Sequence, residues 1–397
     1  MEQLLSQRIN HAQPSFIREV LKVAGQPGII SFAGGLPNPA LFPVAALKQA
    51  TAAVLDEEGA AALQYTSTEG HAGLREWIAE RYRLRQGLAI DPAQVLITNG
   101  SQQALDLIGK VLIDAGDGVV IEEPGYLGAI QALTLYQPHF MPVPLDDDGL
   151  EPDALRHLLA SQRPKLLYSV PNFQNPSGIS YSNARRHQIA ALLTGRDMLL
   201  VEDNPYGELR FGGHEPPSFA ALLPEQTLLL GSFSKVVAPS LRIGWIVAPP
   251  WLMCKLVIAK QAADLHTTGF AQRVLHRYLC DNDLDHHLRA ITAVYGRQMA
   301  AMRQAIGQHF PATVCTTAPE GGMFLWATLP QHFSALDLFN TAVARQVAFV
   351  PGHPFYVGRH DSNTLRLNFT NTDASSINEG IARLGQALTE QLRLHPS

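Results

Sequence analysis

The sequence predicts an α/β protein: a large domain with a mainly parallel sheet flanked by helices, then a smaller α+β domain. Three observations predict it. Short apolar runs alternate with longer helix-like stretches through the middle of the chain, the order that builds parallel sheets with crossover helices. Several of those runs end in polar, Gly- or Pro-rich segments. After about Asp281 the alternation gives way to one long helical stretch and two strand-like runs. The length, 397 residues, exceeds one ordinary core. With 46% hydrophobic and 16% charged residues, the chain is globular with a large core.

Taken in order, Phe16, Ile17, Val20 and Leu21 recur at helical spacing, and Pro37, Pro39 and Pro43 mark a tight join. Residues 1–44 are therefore expected as an N-terminal segment packed beside the small domain. The large domain, 45–280, begins its strand series at VLIT (Val95 to Thr98). A helix follows from Ser101 to Ile113, with Ala104, Leu105, Leu107, Ile108, Val111 and Leu112 on its apolar side. VVI (Val119 to Ile121), LLYSV, MLLVE, TLLLGS and IGWIV continue the series. The small domain, 281–397, opens with a helix from Leu284 to Ile306 and carries strands at MFLWATL and TLRLNFT.

Net charge is −5 and no stretch is strongly basic, so neither nucleic acid nor an anionic membrane surface is expected as a partner. No window reaches the roughly 18 apolar residues of a membrane helix, and the start, MEQLLSQRINHAQPSF, lacks a signal-type apolar stretch. Cys254, Cys280 and Cys315 are odd in number and fit no metal spacing. They are expected as reduced thiols in a cytoplasmic protein.

NGSQQ, EEPGY, PNFQNPSG, EDNPY and SFSK follow successive strand runs. In open α/β sheets the ligand sits outside the carboxyl ends of the strands. Each segment alone is also an ordinary turn; the set points to a site. Lys235, in GSFSKVVAPSLRIGW, has an amine suited to a Schiff base with an aldehyde cofactor. Ser232, Ser234 and Arg242 around it suit a phosphate dianion. Gly100-Ser101-Gln102 joins a strand to a helix start, where an anion binds; a helix cap by Ser101 fits the same residues. Asp203, ending its strand, suits a protonated ring nitrogen, and Tyr206 and Asn175 suit a ring oxygen. Tyr126 serves to stack on a flat cofactor or simply to pack. Arg366, between Leu365 and Leu367, is placed to face a cleft and take a carboxylate, or to lie on the surface.

NGSQQALDL, EEPGY, PNFQNPSG, EDNPY, SFSK, LRIGW and LRLNF, as an ordered set, resemble the fold-type-I aminotransferases of class I/II, from about residue 13 to the C-terminus. PSFIREVLK, SFAGGLPNPALFP, LQYTSTEGHAGLRE and VPGHPFY are similar to the 2-aminoadipate and kynurenine aminotransferase group. The resemblance implies pyridoxal 5'-phosphate as cofactor, with Lys235 as Schiff-base lysine and proton shuttle. Asp203 would pair with the pyridine nitrogen, Asn175 and Tyr206 with the ring oxygen, and Tyr126 with the ring face. Ser101, Gln102, Ser232, Ser234 and Arg242 would surround the phosphate. Tyr65 would reach the phosphate of a neighbouring subunit, implying a homodimer with shared sites. Arg366 would take the substrate α-carboxylate, with Gly35 and Asn175 nearby. Ser15 and Arg18 would read the far end of the substrate.

The implied reaction exchanges amino groups between an L-amino acid (2-aminoadipate, glutamate, aromatic or branched-chain) and a 2-oxo acid such as 2-oxoglutarate. Two other readings compete. A lyase or decarboxylase would use the same lysine and cofactor; Arg366 favours an intact carboxylate. MocR-type regulators carry this fold behind a winged-helix domain, for which the pattern's early start is expected to leave no room.

Overall fold

The computed structural model describes residues 4–10 and 16–394. An eight-stranded sheet forms the centre, in the order Val95–Thr98, Gly244–Val247, Thr227–Ser232, Leu199–Asp203, Leu166–Ser169, Gly118–Glu123, His139–Asp146, Gly149–Leu150. All run the same way except Gly244–Val247 and the short Gly149–Leu150. The inner strands are buried on both faces, which is why they read as unbroken apolar runs rather than alternating ones. Val119, Ile121, Leu166 and Tyr168 join the main core, while Val120 and Leu167, pointing the other way, join a second cluster with Leu155, Leu159 and Ile189.

Two strands depart from the sequence expectation. Gly244–Val247 lies antiparallel between Val95–Thr98 and Thr227–Ser232. The link from Ser232 contains only a short turn at Pro239–Leu241, and an antiparallel neighbour needs no crossover helix. His139–Asp146 has no counterpart in the predicted series. Pro142 and Pro144 remove two of its donors, and proline inside a run argues against a central strand. The strand sits near the sheet's margin, paired in parallel with Gly118–Glu123 and capped by Gly149–Leu150.

The second sheet is antiparallel, in the order Cys315–Thr316, Phe324–Thr328, Thr364–Asn368, Val350–Pro351. Helices Leu284–His309 and Ala374–Leu394 pack against each other beside it. The first begins where Asp283 accepts the His286 N–H at 3.1 Å, satisfying a donor the helix cannot. It buries Leu284, Leu288, Ile291, Tyr295, Met302 and Ile306 at helical spacing. Near the start of the chain, Ile30–Ser31 pairs in parallel with Val347–Ala348, and the Phe32 carbonyl accepts the Asn368 N–H at 2.8 Å. This strip carries residues 33–36 toward the carboxyl edge of the large sheet.

Candidate active site

The loops leaving the carboxyl ends of the parallel strands enclose a cavity of about 280 Å³. Ser101, Gln102, Tyr126, Asn175 and Asp203 line it, as do Tyr206, Ser232, Ser234, Lys235 and Arg242. Leu36 lines it as well.

At the inner end, Asp203 is 1% exposed. Its Oδ2 accepts the Tyr168 hydroxyl at 2.7 Å, while Oδ1 is buried with no partner among the described residues. Burial pushes this carboxyl up to about 7; the Tyr168 hydrogen bond works against the rise and the nearby Glu122 carboxylate adds to it. An unpaired, buried acceptor on the cavity wall fits a protonated ring nitrogen.

At the outer end, the backbone does the work. Gly100 sits at φ +73° ahead of the helix Ser101–Leu112, and no side chain caps that helix. The Ser101 cap considered from sequence is thus not formed, and the first N–H groups stay free for an anion. Arg242 lies across Gly100 and donates from Nη2 to the Asn99 carbonyl at 3.3 Å. A Cβ on Gly100 would stand 2.5 Å from Arg242 Nη2, so both the positive φ and the guanidinium require glycine. Ser232 Oγ accepts the Ser234 N–H at 3.1 Å, which curls the chain just before Lys235.

Between the ends, Lys235 Nζ donates to the Gly35 carbonyl at 2.8 Å. Burial, then the Arg366 and Arg242 charges, lower its amine to about 8, so a useful fraction is neutral and nucleophilic near neutral pH. Arg366 is 3% exposed. It donates from Nη1 to Asn175 Oδ1 and from Nη2 to the Ala33 carbonyl, both at 2.8 Å, and leaves Nε unpartnered among the described residues. Its guanidinium lies 4.4 Å from the Phe324 ring centre and 5.3 Å from that of Phe355. Burial lowers it to about 10. No carboxylate among the described residues pairs with it. Asn175 Nδ2 donates to the Tyr206 hydroxyl at 3.4 Å, and burial raises Tyr126 to about 12, keeping it a neutral phenol.

Two predicted residues stand elsewhere. Tyr65 is 78% exposed and meets His266 edge-on at 5.7 Å, outside the cavity. Arg18 is exposed on the helix Phe16–Ala24 and does not line the cavity. Ser15 lies outside the described residues. Sequence reasoning in turn missed Tyr168 and Glu122. Glu122 is buried and accepts from Ser169, Val170, Gln174 and Tyr181. A tyrosine inside an otherwise aliphatic buried run, and the first carboxylate of EEPGY, were the available signals.

A lysine of lowered pKa, a buried carboxylate with a free oxygen and a backbone anion cradle surround one cavity, and this geometry fits a phosphorylated pyridine aldehyde. Together with the sheet order it defines the class: a fold-type-I pyridoxal-phosphate enzyme. The description "Aminotransferase class I and II" matches residues 33–384. The chain belongs to that family and is a pyridoxal-phosphate-dependent aminotransferase. It is 42% identical to aromatic-amino-acid aminotransferase 1 of Thermococcus litoralis, over 99% of this chain and 95% of that one. It is 45% identical to the 2-aminoadipate transaminase of Thermus thermophilus, over 96% of each. The crystal structure of the alpha-aminoadipate aminotransferase LysN from Thermus thermophilus, complexed with N-(5'-phosphopyridoxyl)-L-leucine, superposes with a TM-score of 0.93 at 43% identity, covering 99% of both chains. Among the described residues no helix is long and apolar enough to cross a membrane.

Proposed function

We propose that this aminotransferase takes glutamate and 2-oxoglutarate as one substrate pair, and 2-aminoadipate or an aromatic or branched-chain amino acid with its oxo acid as the other. The observation that carries the reading is Arg366: a buried guanidinium with no carboxylate partner among the described residues, set beside Asn175 and opposite Lys235. Such a group calls for an anionic ligand, and an α-carboxylate meets it in the planar, bidentate geometry that arginine favours.

Pyridoxal phosphate, when bound, supplies an aldehyde for the amino group and a ring that draws electrons from the substrate Cα. The protein's own groups do the rest. Arg366 clamps the carboxylate and so turns the Cα–H bond toward alignment with the ring face. Lys235 Nζ takes the Cα proton, its lowered basicity suiting transfer near neutral pH. Asp203 Oδ1 holds a proton on the ring nitrogen. Asn175 and Tyr206 serve the ring oxygen, Tyr126 the ring face, and Ser101, Gln102, Ser232, Ser234 and Arg242 the phosphate. Gly35 borders the substrate.

The exposed Tyr65 supports a homodimer in which each subunit lends this phenol to its neighbour's phosphate. Arg18, together with Ser15, is read as the reader of a distal carboxylate: the Arg18 helix is tethered by Phe16 on His353 at 4.5 Å, next to the Phe355 that flanks Arg366. Residues 1–44, 45–280 and 281–397 are retained as segment, large domain and small domain. Three exposed free thiols favour the cytoplasm. The test is spectroscopic. The visible band of the holoenzyme should fade with L-glutamate and return with 2-oxoglutarate. A band indifferent to every amino acid tried, or pyruvate and ammonia released from serine, would favour a lyase.

A further inference from the structure

Lys260 is fully buried, yet it lies outside the cavity. A buried ammonium is destabilising unless each proton finds an acceptor. Here all three do: Asp264 Oδ1 at 2.6 Å, Gln103 Oε1 at 2.8 Å and Thr267 Oγ1 at 3.0 Å. Asp264 returns the connection, its Oδ2 accepting from Gln103 Nε2 at 2.8 Å. The Gln103 amide is therefore fixed in one orientation, oxygen toward Lys260 and nitrogen toward Asp264. That same oxygen accepts the Asn99 N–H at 2.7 Å. The Asn99 carbonyl, on the other side of the residue, accepts from Arg242. Asn99 is thus held at both of its backbone polar groups, by a chain that begins at Lys260 and ends at Arg242. The residue it holds is the one before Gly100, where the chain turns into the anion-facing end of the helix Ser101–Leu112.

We propose that Lys260 is a positioning residue for the cofactor phosphate: through Gln103 it holds the Asn99–Ser101 turn and Arg242 in the arrangement that receives the phosphate. The inference rests on the reading that the phosphate binds at this turn. The ammonium touches neither cofactor nor substrate. Its effect passes through the Gln103 amide, whose oxygen it shares with the Asn99 N–H.

Three full-length variants test this, each freed of cofactor and titrated with pyridoxal phosphate. Lys260→Met and Gln103→Leu should each raise the cofactor Kd about tenfold, the effect of losing a charge-assisted hydrogen bond, and should shift the ³¹P resonance of the bound phosphate. Arg242→Met should weaken binding at least as much. A Lys260→Met protein with lowered melting temperature but unchanged Kd and resonance would overturn the proposal, marking the lysine as structural only. If Arg242→Met too leaves Kd and resonance unchanged, the phosphate reading itself falls. Should Lys260→Met fail to fold, Gln103→Leu decides alone, since it removes the same link from the helix side.

Discussion

The two ends of the cavity are built on opposite plans. At the inner end a carboxyl group is buried to 1% exposure with one oxygen unpaired among the described residues; at the outer end free backbone N–H groups and a surface-facing guanidinium wait at a helix start. On the proposed reading the difference separates two tasks. A phosphate needs only affinity, which many weak donors supply, and solvent does little harm there. A ring nitrogen must keep its proton through the reaction, which calls for a strong, water-excluded charge. Inner-end changes should therefore alter chemistry, and outer-end changes should alter occupancy.

Asp203→Asn gives the largest expected effect that separates them: kcat lower on the order of 10²–10³-fold, with cofactor retained, read by steady-state rates and the visible spectrum. Loss of cofactor in step with activity would break the contrast. The same variant carries a pH signature in the cofactor-free protein. With the folded carboxyl raised to about 7, above its unfolded value of about 3.9, the wild type keeps this contribution to stability below about pH 4 and loses it as pH rises through about 7. Asp203→Asn removes the loss. The variant should melt higher than wild type at pH 8, and the gap should close toward pH 4.

Arg366→Gln comes next, with kcat/KM for amino acids falling roughly 10²-fold and the visible spectrum of the resting enzyme little changed. Tyr168→Phe removes one hydrogen bond from Asp203 and should lower kcat about tenfold, leaving the cofactor Kd alone; a change in Kd instead would blur the boundary between the two ends. Arg18→Ala should be smallest, a few-fold loss confined to 2-aminoadipate and glutamate. Equal losses on leucine and aromatic substrates would sink the distal-carboxylate reading.

What the sequence disclosed follows the same divide. Lys235, Asp203 and Asn175 were legible because each ends or closely follows an apolar strand, and Arg242 because it stands just before one; the sheet order gathers them at one edge. Tyr168 and Gln103 were not. Tyr168 matters only because strand register sets it opposite Val201, within reach of Asp203. Gln103 matters only because a helix from far along the chain brings Lys260 against it. Partners fixed by tertiary packing leave no local mark. His139–Asp146 was hidden for another reason, since its prolines speak against a strand and only a position at the sheet's margin tolerates them.

The strip at Ile30–Ser31 has a consequence for how the enzyme is made. Its sheet partner is Val347–Ala348, and the Ala33 carbonyl accepts from Arg366, 333 positions away. A ribosome must therefore translate through Arg366 before the segment around Ala33 meets its partner. A nascent chain that ends before Thr364 can shape the central sheet and its lysine, but not the contact of Arg366 with Ala33. Ala33 and Arg366 thus meet only after the whole central sheet between them has been made.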